Sequence, residues 1–346
     1  IVSNGDERRR AVVVSAPAGV TDRLLELLEP DTPIEGRIDR LRADLNVLLG
    51  DLLDGDDRSA ALDALDRDLD TIRAVLASTR LLRSVPPEAR SLVSGFGETW
   101  SARLLARVLS RRGTPATWLD ARDFLVVGSA ELGPVVDWST TRHDLDEALR
   151  IREPGVMVVT GYVARTATGS PTTLGRNGSD YSASILGALL HADEVVIWTD
   201  VSGVMSGDPG VEPEATVVPS LSYDEAMELA YFGAKVIHPS TMGPLVEHDI
   251  PLYIRNTFHP DLPGTRISRE GDESDGVKGI TVIDGMALVN LQGAGLIGVP
   301  GTAARLFGAL READISVVVI SQGSSEHSIC VAVPEDRVDE ARGVLS

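Results

Sequence analysis

The sequence predicts an α/β domain built on a mostly parallel, covered sheet, followed by a smaller ferredoxin-like unit of order βαββα. Three observations carry this. Short apolar β-branched runs such as Ala11 to Ser15 and Val156 to Thr160 alternate with stretches whose Leu, Ile and Val recur every three or four residues. Residues 259–279, rich in Pro, Gly, Asp and Ser, read as a linker before a second set of elements. At 346 residues and 43% apolar content, the chain can bury a full core in about two domains.

In chain order, Ala11 to Ser15 reads as a buried parallel strand, followed by a turn and a helix from Thr21 or Asp22. Residues 35–80 are helical by pattern and look like an insertion, and Arg90 to Leu109 gives a further helix. Ala116 to Leu119, Phe124 to Val127 and Val156 to Thr160 are strands, with Leu145 to Leu149 helical between them. In LGRNGSDYSASILGALL, Gly175 and Gly178 permit a tight turn, and Ser179 or Asp180 can cap a helix with apolar face Ile185, Leu186, Leu189 and Leu190. Val195 to Trp198 and Leu252 to Arg255 are strands, and Ser222 with Glu225 has the spacing of a capping box. In the second unit, Ala287 to Leu291, Ile315 to Ile320 and Ser328 to Val333 are strands, and Thr302 to Leu310 and Pro334 to Val344 helices.

The formal charge is −20, and of 32 cations only Lys235 and Lys278 are lysines. Nucleic acid is therefore not an expected partner, since a polyanion needs a basic face. No apolar run reaches a membrane span, and the start, IVSNGDERRR, is neither a signal peptide nor a basic transit sequence, so no membrane and a cytoplasmic location are expected. Cys330 is alone, which excludes an intrachain disulfide, and its setting in SICVAV reads as a buried thiol. The turn before Gly178 presents free amides beside the guanidinium of Arg176, so an anion can be gripped from two directions, while Asp180 can place a donor or cation. Gly293, Gly295 and Gly298 spell G-x-G-x-x-G. Ser321 and Gln322 stand where a dinucleotide site needs an acidic residue, so the glycines read instead as a loop closing over a small ligand.

The segments VSAPAGVTD, GFGETWSA, GYVAR, TTLGRNGSDYSA, WTDVSGV and SYDEAMELAYFGAKVIHP follow one another in the order and spacing of the aspartate kinases, and the chain is identified as similar to that branch of the amino acid kinase family over nearly its whole length. The resemblance implies the amino acid kinase fold, an αβα sandwich, over residues 1–258, then an incomplete ACT regulatory unit over 280–346. It implies transfer of the ATP γ-phosphoryl, with Mg²⁺, to the side-chain carboxylate of L-aspartate, the first step of lysine, threonine and methionine biosynthesis. That nucleophile, with a pKa near ~4, is ionised at neutral pH and needs no general base. Catalysis then rests on bringing two anions together and neutralising charge.

By match to the family motifs, Arg176 holds a substrate carboxylate, with Ser179 and Asp180 completing that pocket, and Glu98 meets the substrate ammonium. Arg176, Asp180 and Glu98 are the catalytic set the resemblance implies. Ser15 and Thr21 approach substrate and phosphates, Thr199, Asp200 and Asp208 line the nucleotide pocket, and Lys235 reaches the phosphates. Taken alone, Glu98 and Lys235 also read as charges that complement helix dipoles, and Thr21 as a helix cap. Met205 and Gly210 depart from the family's tyrosine and arginine, which puts adenine stacking and one phosphate contact in question. The family's opening strand and KFGGTS motif have no counterpart here, which reads as truncation. The ACT region, VPGTAARLFGAL and ISVVVISQGSSEHSICVAVPE, resembles that of bifunctional aspartokinase–homoserine dehydrogenases. This implies an effector held near Gly295, Ser321 and Gln322, threonine rather than lysine, in a homodimer or larger homo-oligomer. Two alternatives stay open: a kinase of glutamate or acetylglutamate in the same fold, or a catalytically dead amino-acid sensor.

Overall fold

The computed structural model describes residues 10–30, 32–130, 133–150, 155–231, 237–271, 276–293, 299–323 and 328–345. Its contacts divide the chain into two compact units, Ile1–Gly279 and Ile280–Ser346. The first begins with strand β1 (Ala11–Val14) and helix α1 (Val20–Glu26), which starts one residue before Thr21 because Gly19, at φ 71°, already turns the backbone in. The expected helical insertion is a hairpin of α2 (Ile34–Leu52) and α3 (Gly55–Leu82), broken at Leu53 and Asp54. Next come α4 (Pro87–Ser94) and α5 (Phe96–Arg111), split at Gly95, where a Cβ would collide with Val163. These five helices pool Leu24, Ile38, Leu41, Leu69, Ile72, Val93 and Phe96 into one core.

Strand β2 (Ala116–Leu119) leads through a 3-10 turn to the hairpin β3 (Val127–Ala130) and β4 (Gly133–Val136), then α6 (Trp138–Arg150) and β5 (Val156–Thr160). A second hairpin, β6 (Val163–Arg165) with β7 (Pro171–Thr173), precedes α7 (Gly178–Leu190) and β8 (Val195–Thr199). Strands β1, β5 and β2 form a wholly parallel sheet with β5 in the centre, buried at all five positions. Alternate residues of β5 face opposite cores: Val156 and Val158 meet Ala102 and Ala106 of α5, while Met157 and Val159 pack with Leu145 of α6 and Ile185, Leu186 and Leu189 of α7. The sheet is therefore sandwiched between helices, as its unbroken apolar run requires.

Then follow β9 (Ser220–Ser222), α8 (Tyr223–Tyr231), α9 (Pro239–His248), β10 (Leu252–Asn256) and β11 (Thr265–Ser268). Here the order is β8-β10-β11-β9, parallel except for the antiparallel pair β10–β11. The stretch 259–279, expected to be linker, thus contributes a strand: Ile267 is fully buried against Leu252, which composition alone does not reveal. The capping box forms in full, with Ser222 N–H on Glu225 Oε2 at 2.7 Å and Glu225 N–H on Ser222 Oγ at 3.1 Å.

The second unit contains β12 (Met286–Gln292), α10 (Thr302–Glu312), β13 (Val319–Gln322), β14 (Ser328–Pro334) and α11 (Val338–Leu345). The order β12-β14-β13 is antiparallel throughout, and Leu306, Leu310, Ile329, Val331 and Val333 form its core. This is the expected βαββα sequence.

Candidate functional site

The three parallel strands end in register: Val14 pairs with Thr160, and Leu119 with Val159. Ser15, Gly161 and Asp120 therefore leave the same carboxyl edge, where open α/β sheets bind ligands. Two close approaches bring helices to that edge. A Cβ on Gly97 would stand 2.5 Å from Ala16 Cβ, so the first turn of α5 lies on the loop after β1 and brings Glu98 with it. A Cβ on Gly161 would stand 2.5 Å from Ser179 Oγ, so the start of α7 sits on the end of β5.

Asn177, in the left-handed region at φ 55°, caps α7 without a side-chain bond. Neither Ser179 nor Asp180 is the cap that the sequence pattern predicts; both stand inside the first turn, because Asn177 tolerates the left-handed conformation that starts the helix earlier. Their amides have no carbonyl partner among the described residues. Arg176, in the loop just before, is exposed, and among the described residues its guanidinium has no hydrogen bond or ion pair. Burial pushes the Asp180 carboxyl up to about 6.

Glu98 is 3% exposed, and its Oε2 is buried without a hydrogen-bond partner among the described residues. Burial raises its carboxyl to about 7, against its own backbone N–H, that of Ala16, and the charge of Arg122. A buried carboxylate with one bare oxygen is poised for a cation. Ser15 is exposed at the end of β1, and Thr21 half-buried in the first turn of α1.

Thr199 ends β8 and Asp200 follows it, at the carboxyl end of the strand that pairs in parallel with β10. Thr199 Oγ1 donates to Asp200 Oδ1 at 3.1 Å. Asn256, at the end of β10, donates to Asp200 O at 3.2 Å and Ser202 Oγ at 3.1 Å, bracing the turn. Asp208 is exposed, and its carboxylate accepts Gly210 N–H at 2.8 Å within its own turn. Lys235 and Gly295 lie outside the described residues. In the second unit, Ser321 and Gln322 are the last two residues of β13, not residues beyond it, and are exposed; Gln322 pairs with Ile329. The strand shifts toward the C-terminus because β14 supplies partners as far as Ile329.

Asp120, Arg122 and Asn256 are site-edge residues that motif reading missed. Their signal is positional: each lies at or just beyond the carboxyl end of a parallel strand.

A parallel sheet whose carboxyl edge gathers, among the described residues, free amides, an unpaired guanidinium and a bare buried carboxylate defines a ligand-binding α/β enzyme domain. The chain belongs to the amino acid kinase family, whose profile matches residues 1–256, and an ACT domain profile matches residues 289–346. The bifunctional aspartokinase/homoserine dehydrogenase of Daucus carota, named as chloroplastic, is 43% identical over 98% of this chain and 38% of its own length. The bifunctional enzyme of Haemophilus influenzae is 37% identical over 98% of the chain and 42% of its own. The chain thus spans about two fifths of the length of these relatives. Escherichia coli aspartokinase III, solved with aspartate and ADP in its R-state, superposes with a TM-score of 0.77 at 29% identity, covering 94% of this chain and 72% of that one. The same enzyme with lysine and aspartate, in its T-state, gives 0.74.

Among the described residues, no helix is long and apolar enough to cross a membrane, and no cluster of three His, Cys, Asp or Glu is arranged to hold a metal.

Proposed function

We propose that this chain carries aspartate kinase activity: ATP phosphorylates the side-chain carboxylate of L-aspartate, yielding 4-phospho-L-aspartate and ADP. The observation that carries this is Glu98, a carboxylate with one oxygen bare and buried at the edge shared by Ser15, Ser179 and Asp180. An amino-acid ammonium supplies the partner that oxygen lacks. Arg176 takes a substrate carboxylate in its fork, and the first-turn amides of α7 face developing negative charge. The side-chain carboxylate oxygen then forms a bond to the γ-phosphorus as the bond to the β–γ bridging oxygen breaks. No proton need be removed. Thr199, Asp200 and Asp208 line the nucleotide side, and the motif that contains Lys235 assigns that lysine to the phosphates. Mg²⁺, carried on the nucleotide phosphates, would supply charge neutralisation there.

The setting in this reading is cytoplasmic and homo-oligomeric, with ACT units pairing to hold threonine near Gln322. That Gln322 is neutral and exposed supports a zwitterionic or hydroxylated effector. The test is hydroxamate capture of the acyl phosphate by the full-length protein, with L-aspartate, L-glutamate and N-acetyl-L-glutamate offered in turn. Turnover of aspartate alone is expected; turnover of either other acid without aspartate overturns the proposal. Threonine should inhibit with a sigmoidal response that Gln322→Ala weakens, and potent lysine inhibition indifferent to Gln322 would reassign the effector.

A further inference from the structure

Asp120 and Arg122 flank Ala121 in the 3-10 turn that closes β2. Arg122 is held by Asp120 three ways: its N–H and Nε each donate to Oδ1 at 2.9 Å, and Nη2 to Oδ2 at 2.6 Å. The turn is itself pinned, since Ala121 N–H donates to the buried Thr160 Oγ1 at 2.7 Å. Nη2 also donates to Thr99 Oγ1 at 3.3 Å, and Thr99 is the neighbour of Glu98 in the first turn of α5. The two side chains are only 13% and 19% exposed, so this charge pair is no solvated surface feature.

A fork locked this way is a fixed charge whose field reaches Glu98, the carboxylate whose Oε2 has no partner among the described residues. Resting on the aspartate kinase reading, we propose that Arg122, held by Asp120, is a positioning residue: its charge keeps Glu98 anionic and aimed for the ammonium of the substrate. Glu98 is raised to about 7 by burial, and Arg122 opposes that rise. Among charged groups on the elements packed against α5, Arg122 bears on Glu98, while Asp120 and Asp123 of the same turn and Asp68 of α3 bear on Arg122. Losing the guanidinium therefore removes a cation and uncovers Asp120 at once.

The test is the pH profile of kcat/KM for aspartate in the full-length protein, with KM for ATP measured alongside. Arg122→Gln should move the acid limb up by about one pH unit and raise the aspartate KM at pH 7 about fivefold, with the ATP KM within about twofold. Arg122→Lys, which keeps the charge and loses the fork, should hold the limb near its original place. Asp120→Asn keeps the Oδ1 that accepts two of the three Arg122 bonds while removing a negative charge, so it should move the limb toward lower pH, and it serves as the readout if Arg122→Gln does not fold. In a Glu98→Gln background, Arg122→Gln should no longer change the aspartate KM. A merely structural tie between β2 and α5 would impair Lys and Gln variants alike, raise both KM values, and persist in that background; any of these overturns the proposal. Wild-type protein that does not turn over aspartate overturns the kinase reading and this one with it, whereas an active wild type whose limb ignores Arg122 and Asp120 overturns this one alone.

Discussion

Replacing Glu98 with Gln should make the protein more stable at alkaline pH while crippling substrate capture. The carboxyl rises from 4.5 to about 7 on folding, and the group is 3% exposed, so solvent screens little of the cost. Between those two values the folded state holds the proton more tightly than the unfolded chain, so stability falls as pH rises through the window. A tenfold difference in proton affinity between the two states corresponds to about 1.4 kcal/mol, so from pH 5 to pH 8 the loss from this one group is about 2.5 kcal/mol. A glutamine does not ionise, and its cost from an unpaired amide N–H is the same at both pH values. The stability difference between Glu98→Gln and wild type should therefore swing by about 2.5 kcal/mol in favour of the variant between pH 5 and pH 8. Denaturant unfolding followed by far-ultraviolet circular dichroism at both pH values measures it, and Asp180, present in both proteins, cancels. Parallel pH dependences in the two proteins would refute the assignment of a buried, titrating Glu98.

Arg176→Lys should raise the aspartate KM at least tenfold and leave the ATP KM nearly unchanged, since an ammonium does not reproduce the guanidinium fork; equal effects in steady-state kinetics would move Arg176 to the phosphates. Gly161→Ala would put a Cβ 2.5 Å from Ser179 Oγ and 2.9 Å from its Cα, where the neighbour is helix backbone. A loss of about 1–3 kcal/mol in thermal unfolding is expected, with a larger fall in kcat as the start of α7 is displaced. Glu225→Ala removes an acceptor shared by Ser222 N–H and, at 2.9 Å, by Lys278 Nζ, and should cost about 1–2 kcal/mol in denaturant unfolding with little change in aspartate KM.

Much of this architecture is legible in the sequence where a local pattern and the tertiary outcome agree. Val156 to Thr160 is buried at every position because it is the central strand of a covered parallel sheet, and the Ser222–Glu225 spacing carries its own bonding partners. The rest depends on partners distant in sequence. Thr265–Ser268 sits in a stretch of linker-like composition and becomes a strand only because Leu252, Tyr253 and Ile254 pair with it. The start of α7 depends on Asn177 adopting a left-handed conformation, which asparagine tolerates but a search for Ser or Asp caps passes over. At the candidate site, family motifs single out Glu98, Arg176, Ser179 and Asp180, and the fold brings Glu98, Ser179 and Asp180 to one sheet edge. Asp120 and Arg122 belong to no motif, and their pairing shows only in the fold, where Thr160 pins the turn between them and Thr99 accepts from Arg122.

Whether the side-chain carboxylate of L-aspartate attacks the γ-phosphorus is decided by oxygen isotope transfer. L-Aspartate carrying ¹⁸O in its side-chain carboxylate is incubated with ATP, Mg²⁺ and the full-length protein, and the acyl phosphate is observed by ³¹P NMR. An isotope shift from ¹⁸O bonded to phosphorus in the acyl phosphate is the expected result. A phosphorylated product without that shift, or with it only when the α-carboxylate carries the label, would rule out attack by the side-chain carboxylate.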